Sequence, residues 1–204
     1  MSESIIDTTD GRRLRSQDSK RKIVAAMLEL VREGQIAPTA EEVAHRAEVG
    51  LRTVFRRFKD MESLYAEMAI AISEQVAPII EEKVKFDHWG DNFSHLVERR
   101  LRVYEVIMPY RVAAEVLKFQ SNVLHLHHLQ IVRAERELLR SSLPSSYLND
   151  KLIIEGLEAV LSFDMWNQLR NDQDLSAEEA SDVIVRILSS LLPDAGLVGP
   201  KLNR

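Results

Sequence analysis

Length, composition and charge narrow the classes of protein to which this chain can belong. Its 204 residues are 45% hydrophobic and 29% charged and include no cysteine, so a core can form, whereas disulfides, thiolate metal sites and a cysteine nucleophile are excluded. With a net charge of −5, no apolar signal segment and no long apolar stretch, the chain is expected to be cytoplasmic and to have no membrane partner.

Apolar residues at helical spacing run through nearly the whole chain, and we predict an all-α fold. Residues 1–17 are polar and are expected to form a flexible basic arm. A first helix is then predicted from about Asp18, with an apolar stripe that ends at Gly34.

The next segment has the pattern of a helix-turn-helix. Thr39 and Glu42 are spaced as a capping box, which predicts the start of a short second helix. Gly50 marks a tight turn, and a third helix is predicted over residues 51–58. Two short helices joined by a glycine-containing turn are typical of a DNA-binding domain, to which we assign residues 18–64.

A larger helical domain is predicted over residues 65–193. Asp60 is the expected N-cap of a fourth helix over about 61–84, which would link the two domains. Glycines, prolines and polar clusters divide the remainder into helices over residues 89–107, 109–117, 122–139, 149–170 and 177–192. Residues 194–204 are expected to form a flexible tail.

The predicted third helix has one apolar and one polar face. At about 100° per residue, the packing face consists of Leu51, Val54 and Phe58. The opposite face carries Arg52, Thr53 and Arg56, which we predict to read bases because Arg can bind guanine with two hydrogen bonds and Thr can touch a thymine methyl. Arg57 and Lys59 are better placed for phosphates. Five basic residues lie between Arg46 and Lys59, with Glu48 as the one acid among them.

Residues 44–64, AHRAEVGLRTVFRRFKDMESL, resemble the signature of the TetR/AcrR family of transcriptional regulators. The resemblance covers about the first quarter of the chain. It implies an all-helical homodimer with a three-helix DNA-binding domain and a variable ligand-binding domain. It also implies a repressor that a small molecule releases from its operator, with no enzymatic activity and no cofactor.

Carried over by position, the resemblance implies that Thr53 contacts DNA, that Phe55 stands where the family has a phosphate-contacting Tyr, and that Lys59 contacts the DNA backbone. Arg56 stands at a position that is often His. The chain departs from the pattern at Gly50, where the family usually has a capping Ser, and at Phe55, which lacks the hydroxyl. The full set of predicted DNA-binding residues is Thr39, Gly50, Leu51, Arg52, Thr53, Phe55, Arg56, Arg57 and Lys59.

The larger domain carries candidates for a ligand pocket and for a dimer interface. A sensor pocket needs apolar walls and a few polar groups, and its candidates are Trp89, Phe93, Leu96, Tyr104, Tyr110, Phe119, His125, His128, Phe163 and Trp166. The predicted helices over residues 149–170 and 177–192 are adjacent and apolar, and they could form a four-helix bundle with the same two helices of a second copy. The dimer candidates are Leu152, Gly156, Ala159, Phe163, Ile184, Ile187, Leu188 and Leu191; the alternative is that both helices fill the core of one monomer.

Two other function classes compete with the regulator. The histidines His125, His127 and His128 could serve an all-α enzyme together with Glu135 or Glu137, although no HExxH pattern occurs and packing is the simpler explanation. A protein-interaction module whose basic patch binds an acidic partner is the third possibility. We expect neither a metal nor a cofactor, and we expect duplex DNA, a small molecule and a second copy of the chain as partners.

Overall fold

The structure is a computed structural model that describes residues 8–83, 85–197 and 199, with side chains described from residue 16 onward. Within this part of the chain there are ten α-helices and no β-strand, which confirms the predicted all-α fold. The helices are α1 Thr8–Arg32, α2 Ala40–Arg46, α3 Leu51–Arg57, α4 Met61–Ile80, α5 Trp89–Leu117, α6 Asn122–Ser141, α7 Ser145–Leu148, α8 Lys151–Val160, α9 Phe163–Asn167 and α10 Ala177–Leu191. None of these described helices is both long and apolar enough to cross a membrane.

The first helix is longer than the sequence indicated. It begins at Thr8, so the expected start at Asp18 lies inside it, and the predicted arm is helical from residue 8 onward. Residues 1–7 lie outside the described part. The apolar stripe in the sequence starts late, but residues 8–17 contain no Pro, so the helix can begin well before the stripe. Gly34 ends α1 as predicted, with a φ of +98° that favours glycine.

The chain forms two compact units, the first of which comprises residues 1–73 and 109–127. The first unit therefore takes in more than the predicted DNA-binding domain, because the end of α5 and the start of α6 belong to it. Helices α1, α2 and α3 pack on one another in this unit. Its apolar core consists of Ile23, Val24, Ala26, Met27, Leu28, Leu30, Val31, Val43, Ala44, Ala47, Val54, Phe58, Leu64, Met68 and Ala113.

The second unit comprises residues 74–108 and 128–204. Helices α8 and α10 pack on each other in it. The start of the predicted flexible tail is corrected here, because Pro193–Ala195 form a 3-10 turn and Ala195 is 1% exposed. A Cβ on Gly90 would lie 1.8 Å from the carbonyl oxygen of Ala195, so the two backbones approach each other as only glycine allows. Residues 198 and 200–204 lie outside the described part.

Three further helix boundaries differ from prediction. Helix α5 continues through Pro109, where two helices were expected, so the loss of one backbone hydrogen bond at the proline does not end it. The expected helix over residues 149–170 is divided at Ser162, whose hydroxyl accepts a hydrogen bond from the Met165 N–H and caps α9. Helix α4 ends at Ile80, short of residue 84, which itself lies outside the description.

Candidate nucleic-acid interface

The N-terminus of α2 is fixed by the predicted capping box. The Glu42 N–H donates to Thr39 Oγ1 at 3.2 Å, and the Thr39 N–H donates to Glu42 Oε2 at 2.7 Å. The Thr39 hydroxyl also donates to Glu42 Oε2 at 2.8 Å. These bonds from Thr39, the backbone one first, lower the pKa of Glu42. Thr39 is thus engaged within the protein and acts by positioning α2.

Arg46, counted in the basic stretch, is paired inside the first unit. Its Nη1 and Nη2 donate to Glu33 Oε1 and Oε2 at 2.8 and 2.6 Å, and Glu29 lies 3.6 Å from Nη1. The bidentate hydrogen bond lowers the pKa of Glu33 and raises that of Arg46. The pair fastens the end of α2 to the end of α1, so the charge of Arg46 is balanced within the protein.

The turn between α2 and α3 is built differently from the prediction. The expected turn residue Gly50 has an extended conformation, with φ −70° and ψ 144°, and serves as the N-cap of α3 without a side-chain bond. The left-handed residue is Glu48, at φ +54°. The Glu48 N–H bonds to the His45 carbonyl and the Val49 N–H bonds to the Ala44 carbonyl, which is the Schellman arrangement at the end of a helix.

Two apolar side chains seat α3 in the core. Val54 and Phe58 are 2% and 3% exposed, as predicted for the packing face. The Lys20 ammonium lies 6.0 Å from the Phe58 ring centroid, and it also pairs with Glu67 on α4 at 2.6 Å. Leu51 was assigned to the same face, but it is 37% exposed because it lies in the first turn of α3, at the margin of the contact with α1 and α2.

The opposite face of α3 presents unpaired positive charges. Arg52, Arg56 and Lys59 are exposed. Among the side chains that the structure describes, none of the three forms a hydrogen bond or an ion pair with another residue. Thr53 is half-buried beside them, and its N–H bonds to the Gly50 carbonyl. The three cations are therefore available to an external anion.

Two of the predicted contact residues differ from this pattern. Arg57 is half-buried and donates from Nη1 to the Ser16 hydroxyl on α1, while its Nε is buried with no partner among the described atoms. Arg57 therefore ties α3 to α1 and offers less to a phosphate than was expected. Phe55 is 54% exposed, so it does not pack in the core.

A contact that the sequence did not reveal joins α4 to α6 within the first unit. The carboxylate of Glu62 accepts a hydrogen bond from the Val123 N–H at 3.0 Å, one of the free donors at the start of α6. At the start of α4, Asp60 Oδ1 accepts from the Ser63 N–H at 2.9 Å, which confirms the predicted N-cap. Both carboxylates lie directly after α3 and fix the chain that leaves it.

Most pocket candidates of the second unit fill its interior. Phe93, Leu96, Tyr104, Phe163 and Trp166 are all at most 6% exposed. The Tyr104 hydroxyl lies 2.9 Å from both Glu135 Oε1 and the Leu161 carbonyl oxygen, and its single proton can be donated to either acceptor. The Trp166 indole N–H donates to Glu105 Oε1 at 2.9 Å. These bonds satisfy the polar atoms of the aromatic core, so the side chains are packed as core residues, and a sensor pocket remains a prediction.

The remaining pocket candidates lie in varied surroundings. Phe119 is 82% exposed, and Lys118 Nζ lies 5.4 Å from its ring centroid. His125 is exposed, whereas Trp89, Tyr110 and His128 are half-buried. Burial, and then the charge of Arg111, lower the pKa of His127. Among the described residues, no three His, Asp or Glu side chains are grouped so as to hold a metal ion.

The dimer candidates separate into two groups. Phe163, Ile184 and Leu188 are at most 3% exposed and belong to the core of the second unit, where α10 packs on α8. The others lie toward the surface. Leu152 is 83% exposed and Ala159 is exposed, and Gly156, Ile187 and Leu191 are half-buried. A Cβ on Gly156 would lie 3.7 Å from Leu191 Cδ1, so these residues of α8 and α10 adjoin each other.

The fold is similar to those of two solved transcriptional regulators. A transcriptional regulator from Rhodococcus sp. Rha1 matches with a TM-score of 0.66 at 14% identity, covering 88% of this chain and 98% of the other. A TetR transcriptional regulator from Rhodococcus sp. RHA1 matches with a TM-score of 0.50 at 17% identity, with the same coverages. No family model matches the sequence, and no curated protein matches it. At the level of the fold, the likeness to TetR regulators that residues 44–64 indicated is confirmed.

Proposed function

We propose that the protein is a DNA-binding transcription regulator that inserts α3 into the major groove of its operator. The observation that carries the proposal is the exposed face of α3 and the residue after its C-cap, where Arg52, Arg56 and Lys59 have no partner among the described side chains. In the same segment, Arg46 and Arg57 are engaged within the protein. Selective exposure of two cations on the second helix of a helix-turn-helix, and of a third directly after it, suits contact with a duplex.

Each side chain of this face has a role that follows from its chemistry. A guanidinium can donate two hydrogen bonds to guanine O6 and N7, so Arg52 and Arg56 are proposed to read bases. Thr53 can donate to a phosphate from the edge of the helix. Lys59 follows the C-cap of α3 and carries a point charge, so we assign it to the DNA backbone, where it would strengthen binding to every sequence.

The test is selection of bound duplexes from a random pool by the purified protein. The proposal expects a consensus to be enriched, and it expects the Arg52→Ala/Arg56→Ala double variant to lose that enrichment. The matched control is Arg133→Ala, which removes an exposed arginine from α6 and should leave the selection unchanged. Equal recovery of all sequences by the unmodified protein, or an intact consensus with the double variant, would contradict the proposal.

We also propose that the protein is a homodimer whose interface is formed by α8 and α10. Leu152, Gly156 and Ala159 repeat at i, i+4 and i+7 along the outer face of α8, beside Leu191 of α10. Leu152 is 83% exposed at one end of this apolar face, and a matching face of a second copy would cover it together with Gly156 and Ala159. Leu152→Asp should convert a dimer to a monomer in sedimentation velocity. The control is Lys151→Asp, which changes a neighbouring exposed residue of α8 and should leave the dimer intact. An unchanged mass for Leu152→Asp would contradict this interface.

We propose, finally, that the regulator is a repressor that a small molecule releases from DNA, as the family resemblance implies. The thermodynamics require only that ligand and DNA stabilise different conformations, for which a coupling of about 1–3 kcal/mol is typical. Operator binding measured with a panel of small molecules, together with the melting temperature, tests this. A compound that raises the melting temperature should weaken operator binding; stabilising compounds that leave operator affinity unchanged would contradict release.

A further inference from the structure

The recognition helix carries an apolar strip that its cationic face does not account for. Phe55 is 54% exposed and Leu51 is 37% exposed, although the other aromatic side chain of the helix-turn-helix, Phe58, is 3% exposed. Single exposed apolar residues are ordinary, but these two are four residues apart and share one side of α3. Phe55 has no ring or cation contact with any side chain in the described part of the chain.

The strip borders the arginine face directly. At about 100° per residue, Phe55 lies roughly 40° from Leu51 around α3 and roughly 60° from Arg52. Arg56 follows Phe55 in the chain, and Lys59 lies one turn further on. All three cations are exposed and have no ion pair among the described side chains. A partner that covers the strip and these cations together would therefore be anionic around an apolar group.

From this juxtaposition we propose that Leu51 and Phe55 read thymine methyl groups in the major groove, a contact that would set sequence preference beside the arginines. The inference rests on the proposed function, since it requires α3 to lie in the groove. A phenyl ring has no donor for a phosphate oxygen, so it cannot make the phosphate contact of a tyrosine. The thymine C5-methyl is the apolar group that the major groove displays, and it distinguishes A·T from G·C pairs.

The contact would also contribute to the free energy of binding. The exposed Phe55 ring is in contact with water in the free protein, and packing against a thymine methyl would bury part of its apolar surface in the complex. Burial of one methyl group corresponds to about a fourfold change in affinity. We therefore expect a modest preference for thymine at one or two positions of each half-site, superimposed on the stronger readout of guanine.

The experiment removes the methyl from the DNA and the ring from the protein. In the selected duplex, each thymine is replaced in turn by deoxyuridine, which keeps the hydrogen-bonding edge. Dissociation constants are then measured for the unmodified protein, Phe55→Ala, Leu51→Ala and the control Arg133→Ala. One or two deoxyuridine positions should weaken the unmodified protein and Arg133→Ala about fourfold. Phe55→Ala or Leu51→Ala should abolish that difference at the same position.

The outcomes separate this inference from the proposed function. Specific binding without a deoxyuridine penalty at any position would overturn the thymine contact and leave the regulator intact. A penalty that persists in both Phe55→Ala and Leu51→Ala would overturn it as well. If Phe55→Ala changes only self-association, measured by sedimentation, the strip covers a second copy and the inference fails. Absence of any sequence-specific binding by the unmodified protein would overturn the inference and the proposed function together.

Discussion

Helices α2 and α3 are each seven residues long, adjoin in the chain and both bury apolar side chains, yet they use their charged residues differently. In α2, polar links are added to the packing, through the Thr39–Glu42 capping box at its start and the Arg46–Glu33 pair at its end. Helix α3 lacks a side-chain cap and is held mainly by the packing of Val54 and Phe58. A helix that uses its charges for its own attachment cannot offer them to a ligand. In this helix-turn-helix, the attachment of α3 leaves Arg52 and Arg56 free.

The largest expected effect concerns the apolar seat of α3. Phe58→Ala removes a ring that is 3% exposed and should lower the free energy of unfolding by about 3–5 kcal/mol through lost burial and a cavity. Phe55→Ala, on the same helix, should change it by no more than about 0.5 kcal/mol because that ring is already half in water. Urea denaturation measures both free energies of unfolding. Equal losses for the two variants would contradict the assignment of Phe58 to the core and of Phe55 to the exposed surface of α3.

The next effect concerns the cations that α3 leaves free. Arg52→Ala should reduce discrimination between operator and altered bases by about 1–3 kcal/mol. Lys59→Ala should weaken binding to all duplexes alike and reduce the slope of log affinity against log salt by about one. Fluorescence anisotropy over a salt series distinguishes the two. The assignment of roles is wrong if Arg52→Ala retains the full base preference.

A smaller effect is expected at the cap of α2. Thr39→Ala removes the acceptor for the Glu42 N–H and should cost about 1 kcal/mol of stability. Thr39→Ser keeps the hydroxyl and should remain close to the original protein. Thermal unfolding followed by circular dichroism provides the measurement. A loss as large for Ser as for Ala would show that the methyl, and not the hydrogen bond, matters at this position.

At the uncapped start of α3 the same chemistry can be added. A Cβ on Gly50 would meet no atom within 4 Å, and the backbone there has the extended conformation of an N-cap. Gly50→Ser should therefore stabilise the protein by about a few tenths of a kcal/mol, whereas Gly50→Ala should destabilise it. The two melting temperatures, compared with that of the original protein, decide the matter. A lower melting temperature for Gly50→Ser would contradict the description of α3 as an uncapped helix.

Acid should weaken the polar attachment of α2. The pKa of Glu33 is lowered below its ordinary value of 4.5 by the Arg46 hydrogen bond, and that of Glu42 by the Thr39 bonds. The folded state favours the ionised form of both carboxylates more than the unfolded chain does. Their contribution to the free energy of unfolding is therefore complete above pH 4.5 and is lost as the pH falls through the lowered pKa values. Glu33→Gln should flatten the fall in stability below pH 4.5 relative to the original protein and to Glu41→Gln. Parallel curves for all three proteins would contradict the role of the pair.

Local features could be predicted from the sequence, whereas tertiary ones could not. The capping box at Thr39 was found because a cap depends on residues three apart. The left-handed Glu48, the Arg46–Glu33 pair and the Glu62 contact depend on how the chain folds back, which no local pattern encodes. Helical periodicity predicted apolar faces for α8 and α10 but could not distinguish the buried Ile184 from the exposed Leu152.

The most direct test of sequence reading by the free cations of α3 is the ratio of dissociation constants for a scrambled duplex and for the selected one, at physiological salt and identical base composition. We expect a ratio of at least about 10³ for the original protein. We expect a much smaller ratio for the Arg52→Ala/Arg56→Ala double variant. A ratio close to one for the original protein would contradict sequence reading, because the cations would then be no more than a nonspecific polyanion site.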